Sequence, residues 1–265
     1  GFVDVNGNCI IDSSIQTKAH NSAADLFARL HPEIEKIYNS ISDKCILKGI
    51  GIGAPNANYY RGTVENPPNL KWGVVNVVEI LRQYYDVPVA ITNDANASAI
   101  GEMLFGAAKG MKDFIVITLG TGLGSGVVVD GKLVYGSDGF AGEIGHTVYD
   151  HNGRQCGCGR KGCLETYVSA TGLKRTLLKI MADSTLPSEL RKYSFEELDA
   201  EIIHEAAKRG DIIAKRAFEH TGMMLGFKLA DVVAHTNPEA IFLFGGLALA
   251  KELIFEPAKK FMEEN

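Results

Sequence analysis

Short apolar runs alternate with helix-length segments along this chain, and the alternation breaks and restarts once, after Gly110. That order specifies an α/β layer architecture, in which helices cover the faces of a sheet. In the first half, Phe2 to Ile11 reads as two short strands around Asn6-Gly7, a two-residue hairpin signal. Pro32 to Ile41 reads as a helix with proline in its first turn, Ile46 to Ile52 as a strand, and Gly53 to Pro68 as turns. Helical periodicity covers Val74 to Tyr85, and Pro88 to Thr92 reads as a strand. An Ala-rich helix follows from Asp94 to Lys109, closed by Gly110.

In the second half, Phe114 to Leu119 reads as a buried strand. Val127–Val129 and Lys132–Tyr135 flank Asp130-Gly131 as a second hairpin, and Gly136 to Cys163 is rich in glycine and cysteine. Ser194-x-x-Glu197 has the form of a capping box, and a long helix spans Ile212 to His235. A strand from Ala240 to Phe244 then leads through Gly245-Gly246 into a helix interrupted by Pro257. The expected organisation is a smaller lobe over residues 1–110 and a larger lobe over 111–265, the latter carrying the metal and nucleotide features.

Composition removes several classes of function. With 27 Lys+Arg, 32 Asp+Glu and 46% hydrophobic residues in 265, the chain has ample core material and a net charge of only −5, which excludes disorder. No run of basic residues points to nucleic acid, and no apolar stretch approaches the roughly 18–20 residues that span a bilayer. The N-terminus lacks the layout of a secretory signal. Five cysteines, odd in number and clustered, argue for metal binding in a reducing compartment rather than a disulfide scaffold. A cytoplasmic enzyme is the expectation.

Three of those cysteines lie in Cys156-Gly-Cys158-Gly-Arg-Lys-Gly-Cys163, with His146 ten positions before the first. Three thiolates and an imidazole meet the tetrahedral demand of a closed, structural Zn²⁺ site. His151 is the rival fourth ligand; His146 is preferred because Glu143 and Gly145 give it the look of a binding loop. Cys9 and Cys45 are read as small core hydrophobes.

Leu119-Gly120-Thr121-Gly122-Leu123-Gly124-Ser125-Gly126 follows the buried strand. Its bare backbone could approach a phosphate, with Thr121 adding a hydroxyl, yet it is neither a P-loop nor a dinucleotide fingerprint. Gly245-Gly246 is a second such loop, or simply a tight strand-to-helix connection. Asn93-Asp94 stands where a strand meets a helix, a place that hosts function in α/β sheets and equally well an N-cap. Glu143 and Glu165 bracket the cysteine module, and carboxylates and amides around one cleft would suit a polyol.

Together these segments resemble a known family. Asn93-Asp-Ala-Asn-Ala-Ser-Ala-Ile-Gly-Glu102, Thr118-Leu-Gly-Thr-Gly-Leu-Gly-Ser-Gly126, Ala141-Gly-Glu-Ile-Gly-His146 and Cys156-Gly-Cys-Gly-Arg-Lys-Gly-Cys-Leu-Glu165 are similar to sugar kinases of the repressor–open reading frame–kinase (ROK) family. Gly51-Ile-Gly-Ala-Pro55 and Pro68-Asn-Leu-Lys-Trp72 resemble its bacterial glucokinase branch. The resemblance implies a two-lobed actin-like ATPase (ribonuclease H-like) fold with a structural zinc module, and a homodimer. It implies ATP-dependent phosphorylation of the 6-hydroxyl of glucose, with N-acetylhexosamines, fructose or a sugar-responsive transcriptional regulator as alternatives. Asp94 would be the general base, and Asn93, Asp94, Glu143, His146 and Glu165 would hold the sugar, His146 serving zinc through its other nitrogen. Gly120, Thr121, Gly122 and Gly124 would cradle the phosphates of ATP, and Gly245 and Gly246 would approach its adenosine. Lobe closure would exclude water.

One departure accompanies the match. The family's first phosphate loop, Asp-x-Gly-Gly-Thr, would precede Val3, and family chains continue past the last helix here. The sequence is therefore expected to be most of a longer kinase, and it offers no nameable ligand for the Mg²⁺ that accompanies ATP.

Overall fold

A computed structural model of the chain describes residues 1–68 and 70–265; Asn69, within the Pro68–Trp72 motif, lies outside the described residues. The chain divides into two compact units, 1–111 with 133–141, and 112–132 with 142–265. Residues 133–141 thus group with the first unit, although the sequence alternation carries them on into the second.

In the first unit, β1 (Phe2–Val3) and β2 (Cys9–Ile11) form an antiparallel hairpin. Its turn is wider than the expected two residues, because the Asp4 carboxylate accepts from the N–H groups of both Asn6 and Asn8 and Gly7 takes φ +84°. Helix α1 (Ala23–Asn39) starts well before Pro32, capped by Ser22, whose Oγ accepts from Asp25 N at 3.2 Å. The reason is its apolar stripe: Ala23, Phe27, Leu30 and Ile34 recur on one face and pack into the unit's core. That burial outweighs the proline, which sits mid-helix rather than in the first turn.

Strand β3 (Ile50–Gly53) is followed by an antiparallel meander of β4 (Ala57–Asn58), β5 (Thr63–Glu65) and β6 (Val74–Asn76). The run read as helix from Val74 therefore begins as a strand, and only α2 (Val77–Arg82) is helical, capped by the Asn76 side chain on Glu79 N. Strand β7 (Val89–Thr92) lies parallel to β3, in register from Ile50 on Val89 to Gly53 on Thr92, and leads into α3 (Asp94–Phe105). Residues 133–141 are held by Asn58 Nδ2 on Asp138 O (2.8 Å), Tyr60 OH on Gly136 O (3.0 Å), an Arg61–Asp138 ion pair and the Tyr59–Tyr135 stack at 4.4 Å.

The second unit is built on a sheet in the order β10–β9–β8–β11, comprising β8 (Phe114–Leu119), β9 (Leu123–Val129), β10 (Lys132–Leu133) and β11 (Ala240–Phe244). β8 is antiparallel to β9 and parallel to β11. Asp130 and Gly131 both take positive φ, the backbone that a two-residue hairpin of this kind requires. Helices α4 (Ala170–Ala182), α5 (Ala200–Lys208), α6 (Ile212–Thr236) and α7 (Glu252–Glu263) complete the unit. Gly222 and Gly226 let α7 lie against α6, since a Cβ at either would come within 2.5 Å of Pro257 or Ala258. Ser194 and Glu197 do exchange capping-box bonds, but around a single turn; the next helix, α5, begins at Ala200 under an Asp199 cap.

Two core assignments from the sequence are corrected. Cys9 is exposed on β2, since a two-stranded hairpin leaves one face in solvent. Cys45 is half-buried in a turn outside any strand, its thiol on Ile41 O. Among the described residues, no helix is long and apolar enough to cross a membrane.

Candidate active site and metal centre

Asn93 and Asp94 belong to the first unit, at the carboxyl end of β7. Asn93 is the N-cap of α3, its Oδ1 accepting from Ala95 N at 2.8 Å, and Asp94 Oδ1 accepts from the same N–H at 2.9 Å. The cap reading of this dipeptide is realised by the Asn93 amide, and the Asp94 carboxylate is exposed in the first turn. Gly53 lets the helix approach, because a Cβ there would sit 3.1 Å from Ala97 Cβ. Asn96 also stands in the first turn, and its buried Oδ1 has no hydrogen-bond partner among the described residues. Such an orphaned acceptor costs stability and marks a place for a ligand or water; the sequence signal was an amide among alanines in the first turn.

Gly120, Thr121 and Gly122 form the connection between β8 and β9, closed by Gly120 N on Gly122 O at 3.0 Å. β9 begins at Leu123, four residues earlier than its apolar run suggests, so Gly124 lies within a strand, opposite Thr118. A side chain on Gly120 would meet open space. Gly122 answers to a different neighbour: a Cβ there would fall 2.3 Å from Glu165 Oε2, the oxygen that accepts from Leu123 N at 3.0 Å. Glu165 thus ties the cysteine module to the glycine loop. At the same end of the sheet, after the neighbouring parallel strand β11, Gly245 takes φ +92°, and a Cβ would strike Leu119 O at 2.5 Å, whereas Gly246 faces open space.

The metal candidates converge in the second unit. Glu143 leads into a 3₁₀ turn, Ile144–His146, seated on β9 through Ile144 N on Ser125 Oγ (3.1 Å) and through Gly145, where a Cβ would meet Leu123 O. Gly162 is required by Asp150 O, which crowds the same space. His146, Cys156, Cys158 and Cys163 place their ligand atoms within 4.8 Å of one another, and His151 is outside this group. Cys158 Sγ lies 3.6 Å from Cys163 Sγ, and Cys156 Sγ 3.7 Å from His146 Nδ1. Ligands about 2.0–2.3 Å from a tetrahedral ion stand roughly 3.3–3.8 Å apart, so the residues present fit Zn²⁺. Burial pushes the Cys156 thiol up to about 12 and raises Cys163 too; against desolvation, Arg160 and the adjacent thiols hold Cys158 down to about 6. A divalent cation would displace the thiol protons.

Known proteins resemble this chain over nearly all its length. The ROK family model matches residues 3–265. A glucokinase of Halalkalibacterium halodurans is 34% identical over 268 residues, covering 99% of this chain and 81% of that one. A xylose repressor of Caldicellulosiruptor bescii is 33% identical over 261 residues, covering 97% of this chain but only 65% of its own length. The crystal structure of a ROK family glucokinase from Streptomyces griseus, in complex with glucose and AMPPNP, superposes with a TM-score of 0.81 at 32% identity, covering 99% of this chain and 84% of that one. With the α/β fold, the histidine–cysteine cluster and this breadth of match in agreement, the chain belongs to the ROK family.

Proposed function

We propose that this chain is an ATP-dependent hexose kinase that phosphorylates the 6-hydroxyl of glucose. The observation that carries the reading is the exposed Asp94 carboxylate, held at the N-terminus of α3 at the end of a parallel strand. Similarity to glucokinases over 99% and 98% of the chain supports the substrate class.

In this reading Asp94 accepts the proton of the sugar hydroxyl. A carboxylate is a weak base for an alcohol, so the proton moves late, once bonding to phosphorus has acidified it. Phosphoryl transfer through a loose transition state suits that order, since the protein mainly positions groups and stabilises charge. Asn93 uses its oxygen for the cap and offers its NH₂ to a ring hydroxyl. Glu143, His146 and Glu165 supply further contacts to the sugar; Glu165 spends Oε2 on Leu123 N, and Oε1, which the Cys156 thiol reaches at 3.8 Å, has a second lone pair for a hydroxyl. Gly120, Thr121, Gly122 and Gly124 face the ATP phosphates, with Mg²⁺ neutralising their charge, and Gly245 and Gly246 approach the adenosine. Zinc held by His146, Cys156, Cys158 and Cys163 would act structurally, fixing the loop from which His146 and Glu165 project. The protein would work in the cytoplasm as a homodimer.

The test is ATP-dependent turnover on glucose, N-acetylglucosamine, N-acetylmannosamine and fructose, with metal content measured on the same sample. The reading expects glucose to give the highest kcat/KM, and a single zinc per chain whose removal by a chelator lowers Tm. A second reading, sugar-responsive regulation, is favoured by the xylose repressor similarity. It expects sugar binding with no turnover on any of the four.

A further inference from the structure

A cavity of about 540 Å³ opens in the second unit, lined by none of the residues assigned above to sugar, nucleotide or metal. Tyr149, Arg154 and Tyr167 lie on one side of it, and Lys179 of α4 with His220 and Met224 of α6 on the other.

Arg154 is the unusual member. Its guanidinium packs over the Tyr167 ring at 4.4 Å. Its Nη1 donates to Thr166 O (2.8 Å) and Gly172 O (3.0 Å), and its Nη2 to Thr176 Oγ1 (2.9 Å). Those bonds use three of five N–H groups, and among the described residues no salt bridge reaches it. Burial, then the neighbouring Arg175, pushes its pKa down. A half-buried cation with no carboxylate is costly, and more positive charge stands nearby rather than less. Among the described residues the carboxylates on the lining are Asp150 and Asp183, and both are exposed.

We propose that this cavity is a second ligand site, which takes a phosphomonoester with its phosphate on Arg154, Lys179 and His220. Guanidinium N–H pairs match phosphate oxygens, and a charge-assisted bond there would relieve the uncompensated cation. The volume exceeds what a bare phosphate fills, and the half-buried Tyr149 with the edge of Tyr167 offers a surface for the body of the ester.

Calorimetric titration with inorganic phosphate and with ribose 5-phosphate tests the assignment, at fixed ionic strength with ADP present. Wild type should bind ribose 5-phosphate more tightly than phosphate; equal affinities would keep an anion site and assign it to free phosphate. Lys179 and His220 are exposed, so the double variant Lys179→Glu/His220→Glu should keep the wild-type Tm and circular dichroism while weakening both probes by about tenfold or more. Asp183→Asn should strengthen both by roughly threefold. Absence of binding by wild type up to about 10 mM, or equal affinity in wild type and the double variant, would overturn the proposal.

Discussion

Each unit contains a parallel strand that runs into a helix, and the two junctions are finished in opposite ways. After β7, Asn93 caps α3 with its side chain and an acid occupies the first helical position. After β11, Gly245 turns with φ +92° beneath Leu119 O, a 3₁₀ turn spans Gly246–Ala250, and α7 begins at Glu252 after Lys251, which takes φ +46° and provides no side-chain cap. One junction satisfies its own backbone and displays an anion. The other leaves side-chain-free backbone beside open space. Under the proposed function, the first junction would serve the sugar acceptor that loses a proton and the second the nucleotide that carries negative charge.

Substitutions at the two turns probe that contrast, and on stability the largest effect is expected at Gly245. Gly245→Ala combines a positive φ with a clash against a backbone carbonyl, and should cost about 2 kcal/mol or more, seen as a Tm drop of roughly 5 °C. Asn93→Ala removes a cap and should cost about 1 kcal/mol, or roughly 2–4 °C in Tm. Asn93→Ser restores the cap and the Tm; if it still weakens glucose binding by about tenfold, the amide is a sugar ligand as well as a cap. Gly246→Ala should leave Tm within about 1 °C, because the added methyl meets open space, while raising the KM for ATP several-fold. A Tm loss at Gly246 equal to that at Gly245 would break the contrast, since both glycines would then be structural.

Much of this arrangement was legible in the sequence where a local rule decided it. Continuous apolar runs located β8 and β11, paired turn residues located the Asp130-Gly131 hairpin, and cysteine spacing located the metal candidates. Local rules failed where packing overrode them. Pro32 suggested a helix start, but the stripe from Ala23 to Ile34 carried α1 through it. Val74–Asn76 had helical spacing and became a strand because β5 lies beside it. The bond from Leu123 N to Glu165 was invisible in the sequence because it joins residues 42 positions apart, and it gives Gly122 a reason unrelated to phosphate. The cation cluster around Arg154 was missed for the same reason, since α4, α6 and the loop before Cys156 meet only in the folded unit.

Removal of the Asp94 carboxylate should separate binding from chemistry. The decisive measurement is kcat for glucose phosphorylation by Asp94→Asn, with the glucose Kd determined on the same preparation. The account predicts a fall in kcat of about 10³-fold with glucose affinity kept within about tenfold, because only the proton acceptor is lost. Turnover near the wild-type rate would contradict it.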